Sequence, residues 1–263
     1  MEEMRKILDN STLFFLFFSI IATIVLFFPI LLLVFTTPPD GYFKAISDKE
    51  VISAIMLSIL TASLTTIFAI IIGVPFAYFL ARYQFRGRDF IDSLIDIPIL
   101  LPHSVAGIVL LSTFGPNQLL GKGLEVLGIS IVDSIFGIVL AQFFVSAPLL
   151  IKTTKAVFES IGEDYIKAAR VFGARRLRAF LEIELPMAQR GILAGAVLCW
   201  ARAVSEFGAV IILTYYPYTA PVLIFIKFTT EGLRASKPIS ALLVLITLAI
   251  FLAIKKLGGV RYA

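Results

Sequence analysis

From Val51 to Ala81 the chain runs for 31 residues without a charged side chain. A helix of that length spans about 46 Å at 1.5 Å per residue, against a bilayer hydrocarbon core of about 30 Å. The segment belongs in a membrane and has to tilt, kink or protrude, with Gly73-Val74-Pro75 the expected kink. A second charge-free run, Leu13 to Phe35, covers 23 residues. It is too long for the apolar part of a cleavable signal and follows acids as well as Arg5 and Lys6, so it reads as a retained membrane helix. Phe90 to Phe114 is interrupted by Asp92, Asp96, Pro98, Pro102 and His103, the pattern of a broken helix lining a protein interior. Ser134 to Ile151, Gly191 to Tyr215 and Pro238 to Ile254 complete the set. The expected fold is an all-α membrane protein with six transmembrane helices, both termini on one side. It divides into an N-terminal helix with the first external loop (1–50) and a core (51–263). Composition agrees: 59% of residues are hydrophobic and 16% charged, whereas soluble domains carry about 25% charged residues.

The formal charge of +5, from 23 Lys and Arg against 18 Asp and Glu, invites a nucleic acid, an anionic lipid or an anionic solute as partner. Position decides. With the N-terminus inside, sixteen of the 23 basic residues fall on inner segments, six on outer loops, and Arg202 inside a helix. Cytoplasmic segments of membrane proteins are enriched in Lys and Arg, so topology explains most of the balance and nucleic acid is not implied. Eight of the inner sixteen lie in one segment, 152–190. The expected location is the cell membrane, crossed several times, with both termini cytoplasmic. Ser47-x-x-Glu50 and Ser160-x-x-Glu163 fit capping boxes at helix starts.

The chemistry the chain can carry is limited. Its single cysteine, Cys199, permits no intrachain disulfide and no cysteine metal cluster. With Gly191, Gly195 and Ala203 it forms a small-residue stripe suited to close helix packing. The nearest approach to a phosphate-binding loop, Gly115 to Gly123, has five residues between its first two glycines where four are needed, and ends in Gly where Ser or Thr is required. An ATPase or other enzyme within the chain is therefore not expected, and neither is a bound metal or cofactor.

The 152–190 segment is the longest outside the membrane. A helix after Ser160 and Glu163 has Ile166, Ala169, Val171 and Phe172 on an apolar side and Lys167 and Arg170 on a polar one. Gly173, free to take a positive φ, ends it. A second helix follows from about Arg175 to Glu184, and Pro186 begins the return to the membrane. Taken alone, this is a helix pair presented to a partner at Ala168 and Ala169, or an amphipathic helix lying on the bilayer.

Lys167-Ala168-Ala169, three residues, Gly173, nine residues, then Ile183-Glu184-Leu185-Pro186 resembles the EAA signature of ABC importer permeases. Pro102 to Leu111, Ser205 to Val210 and Tyr215 to Ile224 are similar to the molybdate/tungstate branch, with sulfate and thiosulfate permeases as near relatives. The resemblance implies the type I ABC importer fold, with a coupling helix in the loop that docks on a separate ATPase. It also implies a homodimer of this chain in membrane lipid, two ATPase subunits inside that bind ATP and Mg, and an external oxyanion-binding protein. Lys167 stands where the family often has Glu, so the acidic contact passes to Glu163 or Asp164. A stand-alone carrier or channel would explain the spans but leave the docking loop without a purpose.

Few ionisable groups lie within the spans. Asp92 and Asp96 are one turn apart near the inner end, placed for a solvated or dimer-interface role ahead of metal binding. His103, after Pro102 in the broken helix, either satisfies freed backbone groups or faces the pathway. Arg202 and Glu206 share a helix face at i and i+4; charges inside a span cost about 2.5–3.5 kcal/mol each unless paired or wet. They read as an ion pair holding helices in register or as a gate in the cytoplasmic half of the pathway. Ser104, Ser112, Thr113 and Ser205, with backbone N–H groups at the broken helix, are candidate donors to a tetrahedral oxyanion.

Overall fold

A computed structural model of the chain describes residues 10–171 and 173–257, without the side chains of Asn10, Ser11, Glu163, Arg170, Lys255 and Leu257. Arg5, Lys6, Phe172 and Arg261 lie outside the described residues. Every described element is helical. In chain order these are α1 (Asn10–Phe35), α2 (Pro39–Ser47), α3 (Lys49–Arg82), α4 (Arg88–Leu100), α5 (His103–Phe114), α6 (Leu119–Val126), α7 (Ile135–Ser160), α8 (Glu163–Val171) and α9 (Arg176–Ala179). A π-helical turn (Phe180–Glu184) leads into α10 (Leu185–Val204), followed by α11 (Gly208–Leu213), α12 (Ala220–Glu231) and α13 (Leu233–Leu257).

Among the described residues, α1, α3, α7 and α13 are long and apolar enough to cross a membrane, and the α4–α5 pair adds a fifth crossing if its 113° bend is taken as one broken span. The break in Phe90 to Phe114 is thus real and sharp. The remaining expected span, Gly191 to Tyr215, has different bounds. Helical backbone persists from Arg176 to Val204, because Pro186 sits in the first turn of α10 and the π turn before it absorbs the irregularity. Pro186 therefore does open α10, the helix that returns to the body, although the backbone stays helical across the boundary. The helix stops at Val204, and the chain breaks at 205–207 before α11. Twenty residues of α10 reach about 30 Å, enough for a bilayer, but Arg190 and Arg202 make it less apolar.

Both expected capping boxes are misplaced. Asp48, and not Ser47, caps α3, its carboxylate accepting from the Glu50 N–H at 2.8 Å. An anionic acceptor one residue nearer the helix start is the better cap. Ser160 ends α7, its hydroxyl donating back to the Val157 carbonyl at 2.7 Å. That helix runs nine residues beyond Ile151 because Lys152, Lys155 and Glu159 are ion-paired there to α4 and to one another. The anticipated kink in α3 also has another meaning: the helix is continuous through Gly73 and Pro75, and Gly73 packs on Leu150 and Ile151 of α7.

The body is built around α7, which packs most extensively on α3 and α10. One buried cluster joins Ala69, Val74 and Ala77 of α3 to Ala147, Leu150 and Phe158 of α7 and Ala188, Ala196 and Cys199 of α10. A second joins α5, α7, α11 and α12 through Ala106, Leu110, Ile138, Ala209 and Val222. By contrast, α1 is apolar all round and none of its spanning window is buried, as suits a helix solvated by lipid.

Gly191, Gly195 and Cys199 of the small-residue stripe form the α10–α7 seam, whereas Ala203 joins a buried cluster with Ala62 of α3. A Cβ on Gly191 would collide with the Val157 side chain, Gly195 faces Thr153 and Leu150, and buried Cys199 places its sulfur 3.4 Å from the Ser146 hydroxyl. Overpacking such a seam costs about 1–3 kcal/mol. Gly191→Ala should lower the melting temperature of the purified protein in detergent, and adding Val157→Ala should recover most of the loss. Equal stability of Gly191→Ala and the parent would show that the seam is loose.

Candidate functional site

Two clusters combine unusual backbone with charge. The first is the loop between α7 and α10. Gly173 has φ of +83°, a conformation costing other residues about 1–2 kcal/mol, and it turns the chain from α8 into α9. Ala169 is buried and the Ala174 N–H donates to its carbonyl, closing the turn. Outward face Asp164, Lys167, Ala168 and Pro186, with Asp164 Oδ1 3.7 Å from Lys167 Nζ. Val171 was expected on the apolar packing side, yet it is 84% exposed, and Tyr165, Leu177 and Leu181 are exposed beside the charges. The helix is too short to bury every apolar residue it carries, so the loop offers both charge and apolar surface. Tyr165, Leu177 and Leu181 went unnoticed in the sequence; their only signal was apolar side chains among basic ones. Ile183 and Leu185 are half-buried at the exit, Leu185 packing on the main core.

Beneath the loop lies a buried ion pair. Glu184 is fully buried; one carboxylate oxygen accepts from Arg82 Nε at 2.7 Å and the other from the Tyr78 hydroxyl at 2.7 Å. Arg82 Nη2 also donates to the Ile161 carbonyl at 2.9 Å. Tyr78 stands edge-on to Phe158, ring centroids 5.2 Å apart, and against Phe180. Arg176 lies 3.9 Å over the Tyr83 ring, a favourable cation–π geometry. Nothing local in the sequence marks the partner of Glu184, 102 residues away.

Alongside, α4 has no buried side chain and is fastened to α7 by charge: Arg88 to Glu159 at 2.7 Å, Lys155 to Asp92 at 3.0 Å, and Lys152 to Asp96 at 2.9 Å. Asp92 and Asp96 are thus partners of lysines in their own chain. No grouping of three or more His, Cys, Asp or Glu suited to a metal ion occurs among the described residues.

The second cluster is where two breaks meet. The α4–α5 bend brings Pro102, His103 and Ser104 against the α10–α11 break at Ser205 and Glu206. Close approach depends on glycine: a Cβ on Gly208 would lie 2.5 Å from His103 Cβ. Arg202 Nη2 is 2.6 Å from Glu206 Oε2, an ionic contact outside hydrogen-bond geometry, while Glu206 Oε1 accepts from the Ala209 N–H at 2.8 Å. Arg202 Nη2 also lies 2.9 Å from His103 Nδ1. A guanidinium only donates, so that ring nitrogen accepts. Glu206 is 1% exposed, Arg202 23% and His103 56%, grading from core to open surface. The pair holds, though Glu206 lies past the helix end. Arg202 is also 17 residues beyond Leu185, about 25 Å along α10, which puts the pair far from the loop rather than in the half nearest it. Pro102, Ser104 and Ser205 are exposed here, Ser205 Oγ donating to the Arg202 carbonyl. Ser112 and Thr113 are not brought in; they sit about 14 Å along α5 from His103, and the Thr113 hydroxyl donates to its own helix at Val109.

Comparison with known proteins adds to this geometry. The family described as binding-protein-dependent transport system inner membrane component matches residues 73–257. A molybdate/tungstate transport system permease protein, WtpB of Thermococcus kodakarensis, is 46% identical over 84% of each chain. A probable molybdenum ABC transporter permease protein of Haloferax volcanii is 39% identical over 88% of this chain and 84% of that one. The sulfate transport system permease protein CysT of Escherichia coli is 31% identical over 82% and 79%. A solved bacterial ABC transporter that imports alginate superposes with a TM-score of 0.77 at 17% identity, covering 98% of this chain and 99% of that one.

Removing one member of a buried ion pair costs about 3–5 kcal/mol, and Arg202 retains some solvent. Glu206→Ala should therefore destabilise by about 3 kcal/mol, the low end of that range. Glu206→Gln, still able to accept from Ala209, should cost less. Thermal unfolding of the two variants in detergent checks the order; equal losses would mean that the bond from Ala209 contributes nothing and that charge alone sets the cost.

Proposed function

The chain belongs to the family of binding-protein-dependent transport system inner membrane components, and from that premise we propose that it is the permease through which an ATP-driven importer moves molybdate or tungstate into the cell. The carrying observation is the loop: the Lys167-to-Pro186 motif folds as helix, left-handed turn at Gly173 and helix, with apolar side chains turned outward. A surface of that kind on a multi-pass membrane protein suits a folded partner, and the partner proposed is a separate ATPase, two copies per complex, which binds ATP and Mg. Asp164 and Lys167 with Ala168, Tyr165 and Leu177 form the contact surface. The side chain of Glu163 lies outside the described residues.

Cargo is read from relatives. Molybdate/tungstate permeases reach 46% identity and a sulfate permease 31%, which favours the larger oxyanions within one tetrahedral class. Sulfate or thiosulfate is the second reading. The pathway is assigned to the meeting of the two breaks. His103 and Arg202 are too polar to face lipid, so a second copy of the chain covers them and the two copies enclose the route. Pro102, Ser104 and Ser205 line it, and the Arg202–Glu206 pair is its gate. Closure of the ATPases draws the two loops together and switches the enclosed space between outward and inward opening. The oxyanion-binding protein docks on the opposite face, and the preponderance of Lys and Arg on the loop side supports cytoplasmic termini.

Gly173→Asp places a branched, charged side chain on a left-handed turn at the contact surface. The variant should insert and dimerise normally, yet lose co-purification of the ATPase and at least 90% of ATP-dependent oxyanion uptake, about 1.4 kcal/mol or more of contact energy. Normal coupled uptake in that variant would remove the docking assignment.

A further inference from the structure

The covalent chain joins the 162–183 loop to α7 at one end and α10 at the other, but to no other membrane helix. Arg82, the last residue of α3, reaches both ends of the loop at once. Its Nε meets Glu184 Oε1 at the exit at 2.7 Å and its Nη2 meets the Ile161 carbonyl at the entry at 2.9 Å. Tyr78, one turn earlier on α3, takes the other Glu184 oxygen. Arg176 adds a longer tie, its Nη2 donating to the Arg82 carbonyl at 3.5 Å. Side-chain exposure of the ion pair is 7% and 0%, so separating it would strand charge away from water.

We propose that Arg82, with Glu184 and Tyr78, is the joint that delivers movement of the 162–183 loop to α3, making Arg82 and Glu184 positioning residues for coupled transport. A guanidinium presents several donors in one rigid plane, so a single side chain can grip both ends of a loop; a lysine ammonium, one compact charge, cannot hold both at these distances. The loop base and the end of α3 then move as one body, and ATPase closure displaces a helix to which the loop has no backbone connection. This inference rests on the loop being the ATPase contact.

The test uses the reconstituted complex of this chain, its ATPase and its binding protein. Arg82→Lys keeps the charge but drops one arm, and Glu184→Gln keeps the shape but drops the charge. Both should co-purify the ATPase with basal hydrolysis close to the parent's. Cargo transported per ATP should fall by about tenfold, within the usual range of coupling between sites, and Glu184→Asp should recover part of it. A merely structural pair would lower complex yield and leave that ratio unchanged, which would overturn the proposal. Should the buried variants fail to assemble, spin labels at Gln84→Cys and Glu182→Cys decide in an otherwise native chain. Their separation should stay within about 2 Å between nucleotide-free and ATP-bound states, as for one rigid body, whereas a larger change overturns the joint. Absence of the ATPase even from the parent complex would instead overturn the function proposed above.

Discussion

A charge withdrawn from water must find a partner, and the most consequential instance here is the Arg82–Glu184 pair. Both members are buried, and between them they tie together the ends of α3 and α7 and the start of α10. Without the pair, the same three helices would still pack through Leu150, Phe158 and Ala188, but the loop above them would have no fixed base. The same rule recurs elsewhere with different consequences. Where charge is only part-buried, as between α4 and α7, the contact fastens a helix that has no buried side chain of its own. Where burial grades from Glu206 to His103, the charges come to the surface and form a polar opening in an apolar body.

These sites are mechanically connected. Helical backbone is unbroken from Arg176 in the loop to Val204 beside the Arg202–Glu206 pair, a length of about 43 Å at ordinary rise. A displacement at the loop therefore reaches Arg202 through one rod, whose Gly191, Gly195 and Cys199 lie flat on α7. The rod ends where Glu206 caps α11 and where glycine allows α5 to approach. Packed interfaces of this sort tend to switch between discrete arrangements instead of deforming gradually.

Much of this was legible in the sequence, for specific reasons. Charge-free runs marked four spans because lipid tolerates little else, and Pro102 marked the bend because proline removes a backbone donor. Spacing placed Arg202 and Glu206 together and identified the Gly191-to-Ala203 stripe. The misses share a cause: they depend on contacts between distant residues. His103 lies 99 residues from Arg202, and Glu184 102 from Arg82. Neighbouring candidates also misled: Ser47 and Asp48 could each cap α3, and only the folded backbone selects Asp48. Pro186 suggested a boundary, and α10 does begin there, but the π turn keeps the backbone helical across it.

The central claim is that partner ATPase motion drives an oxyanion through this chain, and accumulation in sealed vesicles tests it most directly. Proteoliposomes holding the chain, its ATPase and the binding protein should concentrate tungstate above the external level only when ATP is supplied on the loop side, and vesicles holding the chain alone should not. Tungstate flux through the chain alone, running down its gradient and indifferent to ATP, would contradict the account and identify a carrier or channel.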